Sequence, residues 1–360
     1  MTRLLPLAAL AALTLSQPAL AQASAAIASG QVAPSALSPG EIVAAAPKSE
    51  WVAIAASDLL VMDLAPDAKA RPRRVVIQLI PPPFSAGWVG NIRKLAAAHW
   101  WDGLSINRVQ DNYVVQWGDA DGEDKAKARA LPAGLATVPE GEYEVDKPAI
   151  KDFWVAITGK GDRSIVGPVI SPADRPRSRI ADPYASYFAF AAGIPLGLTL
   201  TMGEEERTVP SGKSYKFAIG TPERAWPVHC YGMVGVGRDL SPNTGSGTEL
   251  YTVIGHAPRH LDRNIALVGR VIEGMEHLSS LPRGTGALGF YETPEERTKI
   301  ASIRLGNEVP DLPAYEYLST EGATFARYAD ARANRRDPFF IKPAGGADIC
   351  NIPVPVRRAK

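Results

Sequence analysis

Ile106-Asn107-Arg108-Val109-Gln110-Asp111-Asn112-Tyr113-Val114-Val115-Gln116-Trp117-Gly118-Asp119 is the stretch whose reading decides the fold. It divides into two short extended segments around a polar turn. Ile106 to Val109 is the first segment, and Gln110-Asp111-Asn112 carries the side chains that favour turns. Tyr113-Val114-Val115, aromatic and β-branched, opens the second. Arg108 and Gln116 are polar residues set inside these apolar runs. A polar side chain in a strand costs free energy unless it meets water or a partner, so such a pair either faces solvent or serves a function. For an isolated pair the wet face of a half-buried sheet is the commoner case.

Working outward, the chain has 360 residues and 46% apolar composition, ample for a large core. A net charge of +1 gives no reason to expect nucleic acid or an anionic surface as partner. The 31 prolines and 32 glycines suit many short strands and turns better than long helices. At the amino terminus, Arg3, an apolar run from Leu4 to Leu15 and Ala19-Leu20-Ala21 before Gln22 have the form of a cleavable signal over 1–21. That run is too short to span a bilayer, and no later stretch is long and apolar enough. An exported protein, released into a bacterial periplasm, is therefore expected. Residues 22–48, rich in Ala, Ser, Pro and Gly, read as a flexible leader. Cys230 and Cys350 are the two cysteines, and in an oxidising compartment they suggest one disulfide, the other reading being two separate buried thiols.

Ser57 to Leu64 and Arg74 to Ile80 read as strands joined by a Pro/Asp/Ala-rich connection, and Pro81-Pro82-Pro83 stops the second. Trp88, Val89, Ile92, Leu95 and Ala96 recur at helical spacing, which predicts a helix over Ser85 to His99 with Ser85 as N-cap. Residues 120–225 have no such clear organisation. Phe153 to Thr158 and Ser164 to Ile170 are strand-like, Pro172 to Arg179 is a Pro/Arg-rich linker, and Tyr184 to Leu200 is apolar around Gly193-Ile194-Pro195. The apolar content predicts an ordered insertion, serving either as extra substrate contact or as decoration. Gly274 to Leu281 reads as a second helix stopped by Pro282. Beyond it, Arg304 to Val309 and Tyr315 to Ser319 are candidate strands and Thr324 to Asn334 a short helix. Gly284-Thr285-Gly286-Ala287-Leu288-Gly289 is formally G-x-G-x-x-G, but it follows a helix end rather than a strand, so a dinucleotide site is not expected. His256 and His260 are four apart with Pro258 between them, which is not a helical zinc pair.

Taken together, the motifs carry a family resemblance. Trp101-Asp102-Gly103, Asn107-Arg108-Val109, Tyr113, Gln116 and Gly118-Asp119 come first in the chain. Gly232 to Gly237, Pro242-Asn243, Thr248 to Tyr251, Leu261-Asp262, Val268-Gly269-Arg270-Val271 and Glu273-Gly274-Met275 follow in the same order. This resembles the signature of cyclophilin-type peptidyl-prolyl isomerases over about 58–119 and 226–283. The resemblance implies a mainly β fold, a closed antiparallel barrel capped by two helices. The domain would occupy 49–283, with the insertion at 120–225 and an extension over 284–360 packed on the barrel. It also implies that Arg108 acts on the prolyl nitrogen, that Gln116 holds the substrate carbonyl or Arg108, and that Tyr113, Val114, Glu249, Tyr251, His260 and Leu261 meet the substrate. Read without the resemblance, Tyr113, Val114, Tyr251 and Leu261 are ordinary core.

Four positions depart from the pattern. Asn107 and Ile265 replace histidines, His260 stands where Trp or Phe is usual, and Glu249 replaces a glutamine. A carboxylate at Glu249 has two opposite consequences, preorganising Arg108 or neutralising it. The expected activity is cis–trans isomerisation of X-Pro bonds in exported proteins, assisting their folding and needing no cofactor or metal. Its partners would be proline-containing peptides, with no nucleic acid and no membrane segment once the signal is removed, and the chain would be a monomer. The alternative is a weak or inactive module that binds Pro-containing segments. On either reading, a Cys230–Cys350 bridge would tie the carboxyl-terminal tail to the strand opening the second conserved half.

Overall fold

Strand alternation and helix spacing are both realised in a computed structural model of the protein, which describes residues 36–146, 184–185, 187–208, 214–342 and 346–359. The signal segment, the strand-like pieces Phe153 to Thr158 and Ser164 to Ile170, and the linker Pro172 to Arg179 lie outside the described residues. In chain order the helices are α1 (Pro39–Ala44), α2 (Ala86–Ala97), α3 (Glu276–Ser279) and α4 (Ala323–Ala333). The strands open with β1 (Trp51–Ile54), β2 (Leu59–Leu64), β3 (Arg73–Leu79), β4 (Ser105–Val109) and β5 (Val114–Gly118). Next come β6 (Val145–Asp146), β7 (Tyr187–Ala191), β8 (Ile194–Thr208), β9 (Ser214–Pro227) and β10 (Met233–Val236). β11 (Leu250–Val253), β12 (Leu267–Glu273), β13 (Thr298–Leu305), β14 (Tyr315–Leu318) and β15 (Val356–Arg358) complete them.

Eight strands close into an antiparallel barrel in the order β10-β11-β5-β4-β13-β2-β3-β12, the architecture expected from the sequence. Alternate residues of these strands fill its interior, among them Leu60, Met62, Val75, Ile77, Val115, Trp117, Val234 and Val268. Trp88, Ile92 and Leu95 of α2 close one end of that core, and Leu278 of α3 also joins it. The Trp101-Asp102-Gly103 turn ties strands together. Trp101 Nε1 donates to Thr248 O at 2.9 Å, and Asp102 takes both terminal nitrogens of Arg304 on β13, at 2.7 and 2.6 Å.

Several boundaries differ from the sequence reading. The barrel does not close by residue 283, because its eighth strand, β13, comes from the expected extension. β13 stops at Leu305, where Gly306 begins a 3-10 turn, so of the candidate strand Arg304 to Val309 only Arg304 and Leu305 are in a strand, as the end of β13. Part of the expected flexible leader is ordered. Ser38 and Glu41 form a capping box with Pro39 in the first turn, and Ile42 of α1 is buried. Ser85 does stand at the N-cap of α2, but it is left-handed and its side chain caps nothing. The carboxylate of Glu142 takes the Gly87 amide instead, at 3.0 Å. α3 is a single turn because Gly274 sits at φ 83°, with no room for a Cβ beside Arg74 O, so helix begins only after it.

A second core lies on the outside of the barrel. Phe188, Phe190 and Leu196 of the insertion, with Trp226 just past its end, meet Phe325 and Tyr328 of α4, against Met233 and Leu267 on barrel strands. The insertion therefore packs on the barrel as a sheet in the order β6-β9-β8-β7. The tail returns through Cys350, whose bridge to Cys230 has a Cα–Cα distance of 5.1 Å and spans 120 residues of sequence. On the chain-entropy account a loop of that length contributes up to about 4–5 kcal/mol.

Candidate active site

The β4–β5 hairpin places the first two polar residues. Arg108 on β4 is in register with Gln116 on β5, after a bulge between Ile106 and Arg108. Gln116 is in register with Tyr251 on β11, and Tyr251 with Gly235 on β10. Directly paired residues share a face of a sheet, so Arg108, Gln116 and Tyr251 form a row across the outside of the barrel. Gly235 ends the row, and its missing side chain is required. A Cβ there would stand 2.3 Å from the Tyr251 ring.

Above this row is a cleft of about 780 Å³. Arg108, Tyr113, Val114, Gln116, Glu249, Tyr251 and Leu261 all line it. Val114, Tyr251 and Val253 form a small apolar cluster, with Tyr113 and Ile265 packed against it. His260 does not join them. It is exposed on the 3-10 turn Arg259–Leu261, and Leu261 alone of the pair turns into the cleft. Asn107 is buried and structural, donating to Gly118 O at 3.0 Å and accepting from Ser105 Oγ at 2.6 Å.

Arg108 is half-buried and held on three sides. Its Nε donates to the Leu288 carbonyl at 2.8 Å, Nη1 to Gln116 Oε1 at 3.2 Å, and Nη2 to Gln110 Oε1. Its guanidinium carbon also lies 5.7 Å from the centroid of the Tyr113 ring and 5.3 Å from that of Phe290. Burial draws the arginine pKa down, opposed by Tyr113 and Glu249, yet a guanidinium stays charged at any ordinary pH.

Glu249 reaches Arg108 only through Gln116. Its Oε2 accepts from Gln116 Nε2 at 2.8 Å. An ionised carboxylate can only accept, so it fixes the amide with nitrogen toward Glu249 and oxygen toward Arg108. Burial raises the Glu249 pKa above 4.5, with Glu123 and Asp119 adding to the rise, while the Gln116 bond and Arg108 oppose it.

Beneath the cleft is a relay with no sequence signature. The Tyr251 hydroxyl lies 2.9 Å from His229 Nε2, and His229 Nδ1 lies 2.9 Å from Asp262 Oδ1. Asp262 also accepts from the His229 amide at 2.9 Å and from Arg259 Nε at 2.6 Å. With the Asp262 carboxylate as acceptor, Nδ1 carries the imidazole proton and Nε2 accepts from Tyr251. Burial lowers the His229 pKa and raises that of Tyr251, so both stay neutral.

A fixed cation at the rim of an apolar pocket suits the binding and polarisation of a neutral, ring-bearing amide. The sequence profile described as cyclophilin type peptidyl-prolyl cis-trans isomerase/CLD matches residues 87–305, more than half of the chain. This chain belongs to the cyclophilin-type peptidyl-prolyl cis-trans isomerases. It is an isomerase whose family domain binds proline-containing peptides. The profile runs to the end of β13, where the barrel closes. Among solved structures, a cyclophilin from Hirschia baltica is 18% identical with a TM-score of 0.54, over 86% of this chain and 94% of that one. A cyclophilin-type isomerase from Cryptosporidium parvum, solved in the presence of the dipeptide Ala-Pro, is 10% identical with a TM-score of 0.33, over 68% and 98%. No curated protein sequence matches the chain. No helix among the described residues is long and apolar enough to cross a membrane.

Proposed function

We propose that this isomerase acts on X-Pro bonds of exported polypeptides and assists their folding, with Arg108 as the group that lowers the barrier. The rotation barrier of roughly 18–20 kcal/mol comes from amide resonance. A donor aimed at the prolyl nitrogen bonds its lone pair only when that pair has left resonance, and so favours the twisted state over both planar ones. The observation that carries the reading is the way Arg108 is held. A guanidinium has five N–H groups, and Leu288 O, Gln116 and Gln110 engage three of them. Two remain for the substrate, on a group that needs no reorganisation when the bond twists. Tyr113, Val114, Tyr251 and Leu261 supply the apolar seat for the proline ring.

Gln116 positions Arg108, and Glu249 positions Gln116. Glu249→Gln is expected to lower kcat/KM about fivefold, the worth of roughly 1 kcal/mol of lost hydrogen-bond order, because a glutamine can present either end of its amide. The wild-type rate should fall as the pH drops through the raised Glu249 pKa, and the variant should lose that limb. Stability should move the other way. A carboxylate whose pKa is raised on folding contributes most below its unfolded value near 4.5 and loses that contribution as the pH rises. The variant should therefore be at least as stable as wild type at neutral pH. An unchanged rate and pH profile would show that the carboxylate does not order the amide.

The export reading rests on Arg3, the apolar run from Leu4 to Leu15 and Ala19-Leu20-Ala21, supported by the Cys230–Cys350 bridge, since the cytosol keeps thiols reduced. Protein recovered from the periplasm should begin at or near Gln22. Amino-terminal sequencing that finds an intact Met1 in that fraction refutes export by a cleaved signal.

A further inference from the structure

The glycine-rich run Gly284 to Gly289 is built tightly against the active site. Gly284 N–H donates to Val109 O and Tyr291 N–H to Asn107 O, both at 3.0 Å, with Phe290 bridged to Arg108 between them. The loop thus lies along the edge of β4, and Leu288 and Phe290 both line the cleft. Leu288 is the odd residue. Its backbone is left-handed at φ 55°, a conformation that glycine adopts freely and leucine only at a cost. Its side chain is 66% exposed and that of Phe290 41% exposed. A large apolar residue thus occupies a strained position, beside a second exposed apolar residue. Strain of this kind persists where the surroundings impose it, and it gathers at ligand sites.

The hydrogen-bonded row shows where these residues lie relative to the chemistry. Leu288 O, Arg108, Gln116 and Glu249 follow one another, so Leu288 and Glu249 stand at opposite ends of the row. One end of the cleft is acidic and the other apolar. We propose that Leu288 and Phe290 form an apolar subsite that receives an aliphatic or aromatic side chain adjacent to the proline. The loop 284–291 then determines which residues flanking the proline are accepted. This deepens the isomerase reading and rests on it.

Two series of prolyl tetrapeptides test the proposal on the full chain, one varying the residue before proline and one the residue after, each with Ala, Leu, Phe or Glu. Wild type should prefer Leu and Phe over Ala by about tenfold in kcat/KM, expressed in KM, in one of the series. Leu288→Asn tolerates the left-handed backbone while removing the apolar surface, and should bring the ratio to within twofold of one. Leu288→Met should retain the preference. Should Leu288→Asn fail to fold, Leu288→Gly, which relieves the backbone and should melt no lower than wild type, makes the same test. A wild type with no preference in either series, or a preference that survives Leu288→Asn or Leu288→Gly, overturns the subsite. If wild type catalyses none of the peptides, the isomerase reading falls separately. Dissociation constants for the same panel, held to the same ratios, then decide the subsite.

Discussion

Arg108→Ala is expected to cut kcat/KM for a prolyl peptide by a hundredfold or more while leaving the protein folded. Losing one preorganised donor at a reacting centre typically costs about 3 kcal/mol of transition-state stabilisation. The loss should fall on kcat, since the bond to the prolyl nitrogen forms only as the amide twists. KM should move little, because the apolar seat proposed for the proline ring keeps all four side chains, Tyr113, Val114, Tyr251 and Leu261. Folding should survive for a structural reason. Arg108 is half-buried at an open cleft, where water can take over its three acceptors, and the barrel interior contains no part of it. Arg108→Lys is the informative companion. It keeps the charge but not the planar fork that reaches Leu288 O, Gln116 and Gln110 together, so it should recover only a small part of the rate. NMR exchange between cis and trans peptide reads both variants against an uncatalysed interconversion of tens to hundreds of seconds. A rate within threefold of wild type for Arg108→Ala would remove Arg108 from the chemistry.

What could be read from the sequence follows from how local each signal is. The β4–β5 hairpin was legible because its turn residues and its β-branched run lie within fourteen consecutive positions. Helix α2 was legible from five apolar residues at helical spacing, but its cap was not, because Glu142 arrives from a distant part of the chain. β13 was missed for a reason visible in its register. A bulge between Ile300 and Ser302 leaves Ile300 and Ile303, three residues apart, as its buried positions, so the period of two that marks a strand is broken. Charge and family pattern suggested a direct Glu249–Arg108 contact, whereas only the fold shows Gln116 standing between them. His260 was placed in the cleft because it stands where the family pattern has Trp or Phe, but on the 3-10 turn Arg259–Leu261 it is exposed while Leu261 lines the cleft. The relay was invisible because His229 and Asp262 lie far apart in the chain, and two strands must fold before they meet.

That relay carries the largest expected effect on stability. Asp262→Ala should destabilise the protein by about 3–5 kcal/mol, because it leaves buried partners of a charge without their acceptor. Asp262 and Arg259 are 3% and 7% exposed and His229 is fully buried, so water cannot replace the lost carboxylate. The His229 amide, its Nδ1 proton and Arg259 Nε all lose an acceptor in one step. The His229 ring would then no longer be fixed beneath the Tyr251 hydroxyl, and the floor of the cleft would loosen with it. Activity and stability should therefore fall together, unlike the clean rate loss of Arg108→Ala. Removing both charges separates loss of the Arg259–Asp262 pair from simple loss of packing. Asp262→Leu combined with Arg259→Leu should cost less than Asp262→Ala alone, since no buried guanidinium then loses its carboxylate. Acid adds an independent check. Burial depresses the His229 pKa, so its contribution to stability is present above the unfolded value of 6.5 and is lost as the pH falls toward the folded one. Urea unfolding of wild type should accordingly show stability declining below about pH 6.5, a slope that His229→Gln should reduce. An Asp262→Ala variant that unfolds at the wild-type midpoint would show that the relay supports neither the fold nor the cleft.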